Sequence, residues 1–154
     1  MTNKRVIIVT GASPGLGAAV ACWLGITGAG VTLMARSGEK LRRIAKEVNR
    51  LGGESLIYVA DVSDPKACCN AVQKTLDRFR RLDALVNNAG IVQPIASIAQ
   101  ADPDRWRYNV DVNFIGPFYL INVSIYLSSS AMRFACWATR FIHSVSSFKC
   151  ISAN

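Results

Sequence analysis

A short β-branched run, Val6-Ile7-Ile8-Val9-Thr10, leads directly into Gly11-Ala12-Ser13-Pro14-Gly15-Leu16-Gly17, and a helical pattern starts at Leu16. Glycines placed this way between a buried strand and a helix have a physical task. Gly11 permits the tight turn, Gly15 leaves the main chain bare so that amides can approach a pyrophosphate, and Gly17 lets helix and sheet pack closely. The helix N-terminus adds free N–H groups and a partial positive charge. The strand and helix flank the glycines in the right order, which separates this motif from a plain glycine turn. No Gly-Lys-Ser/Thr follows, so the turn is not a P-loop. Thr10, Gly11, Ser13, Gly15, Leu16 and Gly17 are the candidate contacts to a dinucleotide.

The rest of the chain repeats the alternation. Val31 to Ala35 reads as a second strand, Glu39 to Leu51 as a helix ended by Gly52-Gly53, and Ser55 to Ala60 as a third strand. Asp64-Pro65 opens another helix as cap and first-turn proline. Leu85-Val86 centres a fourth strand, a turn-rich loop runs from Asn87 to about Pro103, and a long helix follows from Asp104 or Arg105 to about Leu127. Arg140 to Val145 reads as a fifth strand, whereas residues 128–139 show no clear period. Strands and helices of this length in alternation predict an α/β fold with a mostly parallel, doubly wound sheet and right-handed crossovers. The expected organisation is a nucleotide-binding region over 1–127 and an atypical tail over 128–154 that holds the fifth strand at 140–147.

Composition limits the alternatives. The hydrophobic fraction of 51% and charged fraction of 18% exclude a disordered chain. The longest apolar stretch, Phe114 to Leu127, is broken by Gly116, Pro117, Asn122 and Ser124, so no membrane span is expected. The net charge is +8, with a basic cluster at Lys40, Arg42, Arg43, Lys46 and Arg50. Its plain reading is a solvated helix face rather than a nucleic-acid site. Five cysteines with no Cys-x-x-Cys spacing, a single histidine and no signal-peptide core predict reduced thiols, a cytoplasmic location and no metal site.

The end of the second strand selects the nucleotide. An NAD site carries an acid there, about 20 residues past the glycines, to hold the ribose hydroxyls. This chain has Ala35-Arg36-Ser37 instead, with no carboxylate before Glu39. Arg36 offers charge-assisted bonds to a 2′-phosphate and Ser37 a hydroxyl, so NADP(H) is favoured; the competing reading is that Arg36 is only a surface residue. Asp61 and Val62, after the third strand, are placed to meet the adenine. Asn87, Ala89 and Gly90 follow the fourth strand; Ala89 and Gly90 keep the crevice floor low, and Asn87 is expected to tie neighbouring strands together. All these segments fall at carboxyl ends of strands, where open α/β sheets bind cofactors.

Thr10-Gly-x-x-x-Gly-x-Gly17, Asp61-Val62, Asn87-Asn-Ala-Gly90 and Asp111-Val-Asn113, in this order, resemble the short-chain dehydrogenase/reductase family. The resemblance covers Lys4 to about Leu127, and Gly116-Pro117-Phe118 is similar to that family's central helix. The segment Val92 to Trp106 resembles a fungal branch near sepiapterin and benzil reductases. The resemblance implies a Rossmann-type fold, NADP(H), and hydride transfer between nicotinamide C4 and a small carbonyl or alcohol substrate. It assigns Asn113 to the family's Asn, which holds a water in a proton relay. It assigns the family's Ser to Ser147, with Ser146 as second candidate, against a reading of both as ordinary strand-end serines. It implies a homo-oligomer, or pairing with a full-length relative, through the 106–127 helix. Pro14 departs from the pattern, since NADP-preferring relatives often carry a basic residue there.

The family's Tyr-x-x-x-Lys pair has no match. Four residues beyond Tyr58, Tyr108, Tyr119 and Tyr126 stand Val62, Val112, Val123 and Ser130. In the family the Tyr is the general acid that protonates the forming alkoxide, and the Lys lowers its pKa and binds the nicotinamide ribose. The expectation is therefore a sheet truncated after about five strands, from a clipped or mis-spliced gene. Its function reads as that of an NADP(H)-dependent oxidoreductase by resemblance. The alternatives are a catalytically dead nucleotide-binding or regulatory remnant and a different α/β enzyme, such as a methyltransferase, with a similar glycine loop. Arg36 and the Asn87 to Gly90 motif argue against the last.

Overall fold

The computed structural model describes residues 4–127 and the strand at 133–136. In chain order the elements are β1 (Val6–Thr10), α1 (Leu16–Ile26), β2 (Gly30–Ala35), α2 (Gly38–Arg50), β3 (Glu54–Val59), α3 (Pro65–Phe79) and β4 (Ala84–Asn87). A 3-10 turn (Ile98–Gln100), α4 (Pro103–Val110), a π turn (Asp111–Ile115), α5 (Gly116–Leu127) and β5 (Arg133–Cys136) follow. The strands form one parallel sheet in the order β3-β2-β1-β4-β5.

β1 is the sheet's centre and is buried along its whole length. Its side chains alternate between faces. Ile7 and Val9 join Val31, Leu33, Leu41 and Val48 on the face covered by α1 and α2. Ile8 joins Met34, Val72, Leu85, Val112 and Leu120 on the face covered by α3 and α5. A strand buried on both faces must read as a continuous apolar run, which explains the lack of polar alternation in Val6–Thr10. The two polar groups buried between β2 and α3 satisfy each other: the hydroxyls of Thr32 and Thr75 lie 2.8 Å apart, and Thr75 also donates to the Ala71 carbonyl. Asp83 locks the entry to β4 onto β1, accepting from Val6 N at 2.7 Å while its own N–H donates to the Val6 carbonyl.

The fifth strand is found at Arg133–Cys136, paired in parallel with β4, inside the segment that shows no period. Four residues are too few to display a period of two, so the pattern carried no signal there. The strand expected at 140–147 lies outside the described residues. The long helix is one run of 25 residues, Pro103–Leu127, and passes a test of length and composition for crossing a membrane that the core helix of a soluble protein also passes. In this fold Val112, Gly116, Leu120 and Ser124 are its buried side, and α5 packs on α3. The interrupting Gly116 is a packing residue: a Cβ there would stand 2.6 Å from the Val62 carbonyl oxygen.

Candidate nucleotide-binding site

A cavity of about 190 Å³ opens at the carboxyl ends of β1, β2, β3 and β4. Gly11 and Ser13 of the first turn form one wall, and Ala35, Arg36, Ser37 and Lys40 form the next. Asp61 and Val62 close the β3 side, Ala89, Gly90 and Ile91 the β4 side, and Tyr108 and Val112 reach in from the helix. Of the residues singled out in the sequence, Gly11, Ser13, Arg36, Ser37, Asp61, Val62, Ala89 and Gly90 are thus brought together. Lys40, Tyr108 and Ile91 were missed.

The three glycines differ in their surroundings. Gly11 has φ +62°, and a Cβ on it would lie 2.8 Å from Ala89 Cα. Gly17 presses against the Gly11 carbonyl and the Asn88 side chain. Gly15 differs: its φ is +128°, yet a Cβ there would meet nothing within 4 Å. Backbone of a kind that glycine adopts readily, facing open space, leaves room for a ligand to approach the main chain. The helix that starts beside it is also the one without a side-chain cap, whereas Ser37, Asp64 and Asp102 cap α2, α3 and α4. Its first-turn amides remain for an anion. An uncapped N-terminus, a bare glycine turn and two cations across the mouth fit a phosphorylated dinucleotide. Leu16 is 54% exposed at this N-terminus, outside the cavity wall.

Thr10 is not among the residues that line the cavity. Its hydroxyl accepts from Asn88 N and Ala89 N, each at 3.0 Å, and donates to the Val86 carbonyl. It is a positioning residue with no capacity left for a ligand. The strand tie expected of Asn87 belongs to its neighbour: Asn88 Nδ2 donates to the carbonyls of Thr10 and Gly11, both at 3.1 Å. Asn87 is buried, and its Oδ1 has no partner among the described residues.

Asn113 stands in the π turn, and its amide is spent on the loop after β4. Oδ1 accepts from Ile91 N at 3.0 Å, and Nδ2 donates to the Ile91 carbonyl at 2.7 Å and to Asn109 Oδ1 at 2.9 Å. Asn109, one turn earlier and unremarked in the sequence, donates to the carbonyls of Ile91 and Gln93. The pair clamps the cavity floor to the helix. Ser146 and Ser147 lie outside the described residues.

Charge crosses the cavity through Tyr108. Arg36 Nη1 donates to the phenol oxygen at 2.8 Å, and the phenol donates to Asp61 Oδ2 at 2.6 Å; Arg36 Nη1 and Asp61 Oδ2 are 3.8 Å apart. Asp61 Oδ1 accepts from Ser63 N and Ser63 Oγ. Burial pushes the Asp61 carboxyl upward, but the bonds from Tyr108 and Ser63 and the Arg36 charge outweigh it and hold its pKa below the usual carboxylate range. Burial, together with the bond to the Asp61 anion and its charge, pushes the Tyr108 phenol up.

The comparisons agree with this geometry. A family model described as short chain dehydrogenase matches residues 5–128. The "11-beta-hydroxysteroid dehydrogenase A" of Sesamum indicum is 37% identical over 131 residues, which is 84% of this chain and 38% of that protein. A Serratia marcescens short-chain dehydrogenase/reductase structure matches with a TM-score of 0.81 at 29% identity, covering 86% of this chain and 54% of the other. A metagenomic short-chain oxidoreductase solved in complex with NADP matches with a TM-score of 0.76 at 37% identity, covering 79% and 55%. The chain thus spans between about two fifths and just over half of these relatives. Its fold, glycine turn and cavity, together with these matches, place the chain in the short-chain dehydrogenase/reductase family.

Proposed function

We propose that this chain binds NADP(H) as the cofactor-binding part of a short-chain oxidoreductase of the carbonyl reductase or alcohol dehydrogenase type. The carrying observation is the β2 end of the cavity, where Arg36 and Lys40 stand in place of a ribose-binding acid. Two cations and the Ser37 hydroxyl match a 2′-phosphate dianion, and a carboxylate there would repel it. Gly11, Ser13, Gly15, Leu16, Gly17 and the α1 N-terminus would hold the pyrophosphate, Val62 and Asp61 the adenine side, and Ala89 and Gly90 the nicotinamide ribose. When bound, the nicotinamide supplies or accepts a hydride at a small carbonyl or alcohol carbon.

The protein's own contribution to that chemistry is orientation. Thr10 and Asn88 fix the glycine turn to the β4 loop, and Asn109 and Asn113 fix that loop to the helix. Asn113 and Ser147 are the proposed catalytic-side residues. The free thiols Cys22, Cys68 and Cys69 support a reducing, cytoplasmic setting.

A second reading is a nucleotide-binding remnant that pairs with another copy or a longer relative. It rests on the exposed Trp106, Phe114 and Phe118 of the α4–α5 run. One experiment separates the two: titrate the purified chain with NADPH and NADH, then assay it with an aromatic diketone or a pterin ketone. Tight NADPH binding with turnover supports the enzyme, binding without turnover supports the remnant, and no binding sinks both.

A further inference from the structure

We infer that Tyr108 is a specificity-determining positioning residue, which holds the Arg36 guanidinium at the cavity mouth for a 2′-phosphate. The inference rests on the NADP(H) reading and extends it. Arg36 lies at the end of β2 with its side chain 65% exposed, and a long exposed side chain has many rotamers to lose on binding a ligand. One Nη1 bond to Tyr108 removes much of that freedom beforehand. The phenol is itself fixed, because it donates to Asp61 Oδ2 and Asp61 is fixed by Ser63. A donor to a carboxylate becomes a better acceptor, so the Asp61 bond strengthens the hold on Arg36.

The geometry keeps the fork usable. Nη1 faces Tyr108, which leaves the Nε–Nη2 edge for paired bonds to a phosphate. Lys40 lines the same wall as a second, more mobile charge. The direct Arg36–Asp61 approach, at 3.8 Å, is too long for a hydrogen bond, so the phenol is the hydrogen-bonded link between these two side chains. Tyr108 therefore acts on the phosphate through Arg36, and NADH, which lacks that phosphate, does not register it.

The test is a double-mutant cycle on the 154-residue chain. NADPH and NADH affinities are measured by nucleotide fluorescence for wild type, Tyr108→Phe, Arg36→Ala and the double variant, with 2′,5′-ADP and 5′-AMP as competitors. Loss of one charge-assisted bond should weaken NADPH and 2′,5′-ADP by about threefold to tenfold and leave NADH and 5′-AMP unchanged. In the Arg36→Ala background, Tyr108→Phe should have no further effect. Equal weakening of both nucleotides would make Tyr108 a mere wall and overturn the inference, as would unchanged or tighter NADPH binding. A wild type that binds neither nucleotide, or prefers NADH, would remove the cofactor reading itself and the inference with it.

Discussion

Asn88 Nδ2 donates to the Gly11 carbonyl oxygen at 3.1 Å, and a Cβ on Gly17 would come within 2.5 Å of that same nitrogen. Three motifs that are far apart or separated by a turn in sequence therefore share one contact. Gly17→Val should break it by driving a branched side chain into the turn. The expected cost is about 1–3 kcal/mol or more in urea unfolding, accompanied by loss of NADPH binding. A variant with wild-type stability would show that helix and turn are not closely packed here.

Gly15→Asp tests the turn without crowding the core. The site has open space, so the fold should survive, at a cost of about 1–3 kcal/mol for the positive φ. A carboxylate beside an anion site should abolish NADPH binding. Equal affinity in wild type and variant would remove the phosphate-loop assignment.

Arg36→Asp should move preference towards NADH, because an acid at that place holds ribose hydroxyls and repels a 2′-phosphate. The ratio of the two dissociation constants is the readout. An unchanged ratio would take Arg36 out of the site.

Cys68 should behave as a core residue. It is fully buried, its Sγ donates to the Val62 carbonyl, and burial aided by Asp64 and Asp61 pushes its thiol up to about 12. In the folded protein it should resist alkylation at pH 8, while the exposed Cys69 reacts; peptide mass mapping distinguishes them. Cys68→Ser should cost about 1–2 kcal/mol and leave NADPH affinity unchanged. Rapid labelling of Cys68 would mean that α3 opens readily.

Asp61 sets an acid limit. Its folded-state pKa lies below the ordinary value, so its contribution to stability is present above about pH 4 and is lost as pH falls through the lowered folded value. Asp61→Asn should flatten that part of the acid limb in thermal melts between about pH 5 and pH 2. An unaltered limb would show that Tyr108 and Ser63 do not favour the ionised form.

Local patterns carried most of the fold. The apolar run of β1, the Asp64-Pro65 start and the glycine turn each declare themselves within a few residues. The cavity wall was legible where one residue at a strand end supplies it, as at Gly11 and Arg36. It was illegible where a long-range pairing decides. Tyr108 reaches Asp61 across 47 positions, so its sequence neighbourhood announces nothing. Lys40 was hidden in a basic cluster whose other members include the ordinary helix pairs Arg43–Glu39 and Arg50–Glu47. Asn87 and Asn88 are adjacent and chemically identical, and only the pleat of β4 decides which one reaches Thr10 and Gly11. The π turn leaves no compositional mark.

That turn has a mechanical consequence. Tyr108, Val112, Gly116, Leu120 and Ser124 recur every fourth residue, and a regular helix would let such a row drift round its axis by about 40° per step. The wider turn at Asp111–Ile115 slows the drift in its middle. One continuous spine therefore runs from the mouth of the crevice to the seat on α3. The row that seats the helix on α3 thus carries Tyr108 and Val112 to the cavity wall at its other end.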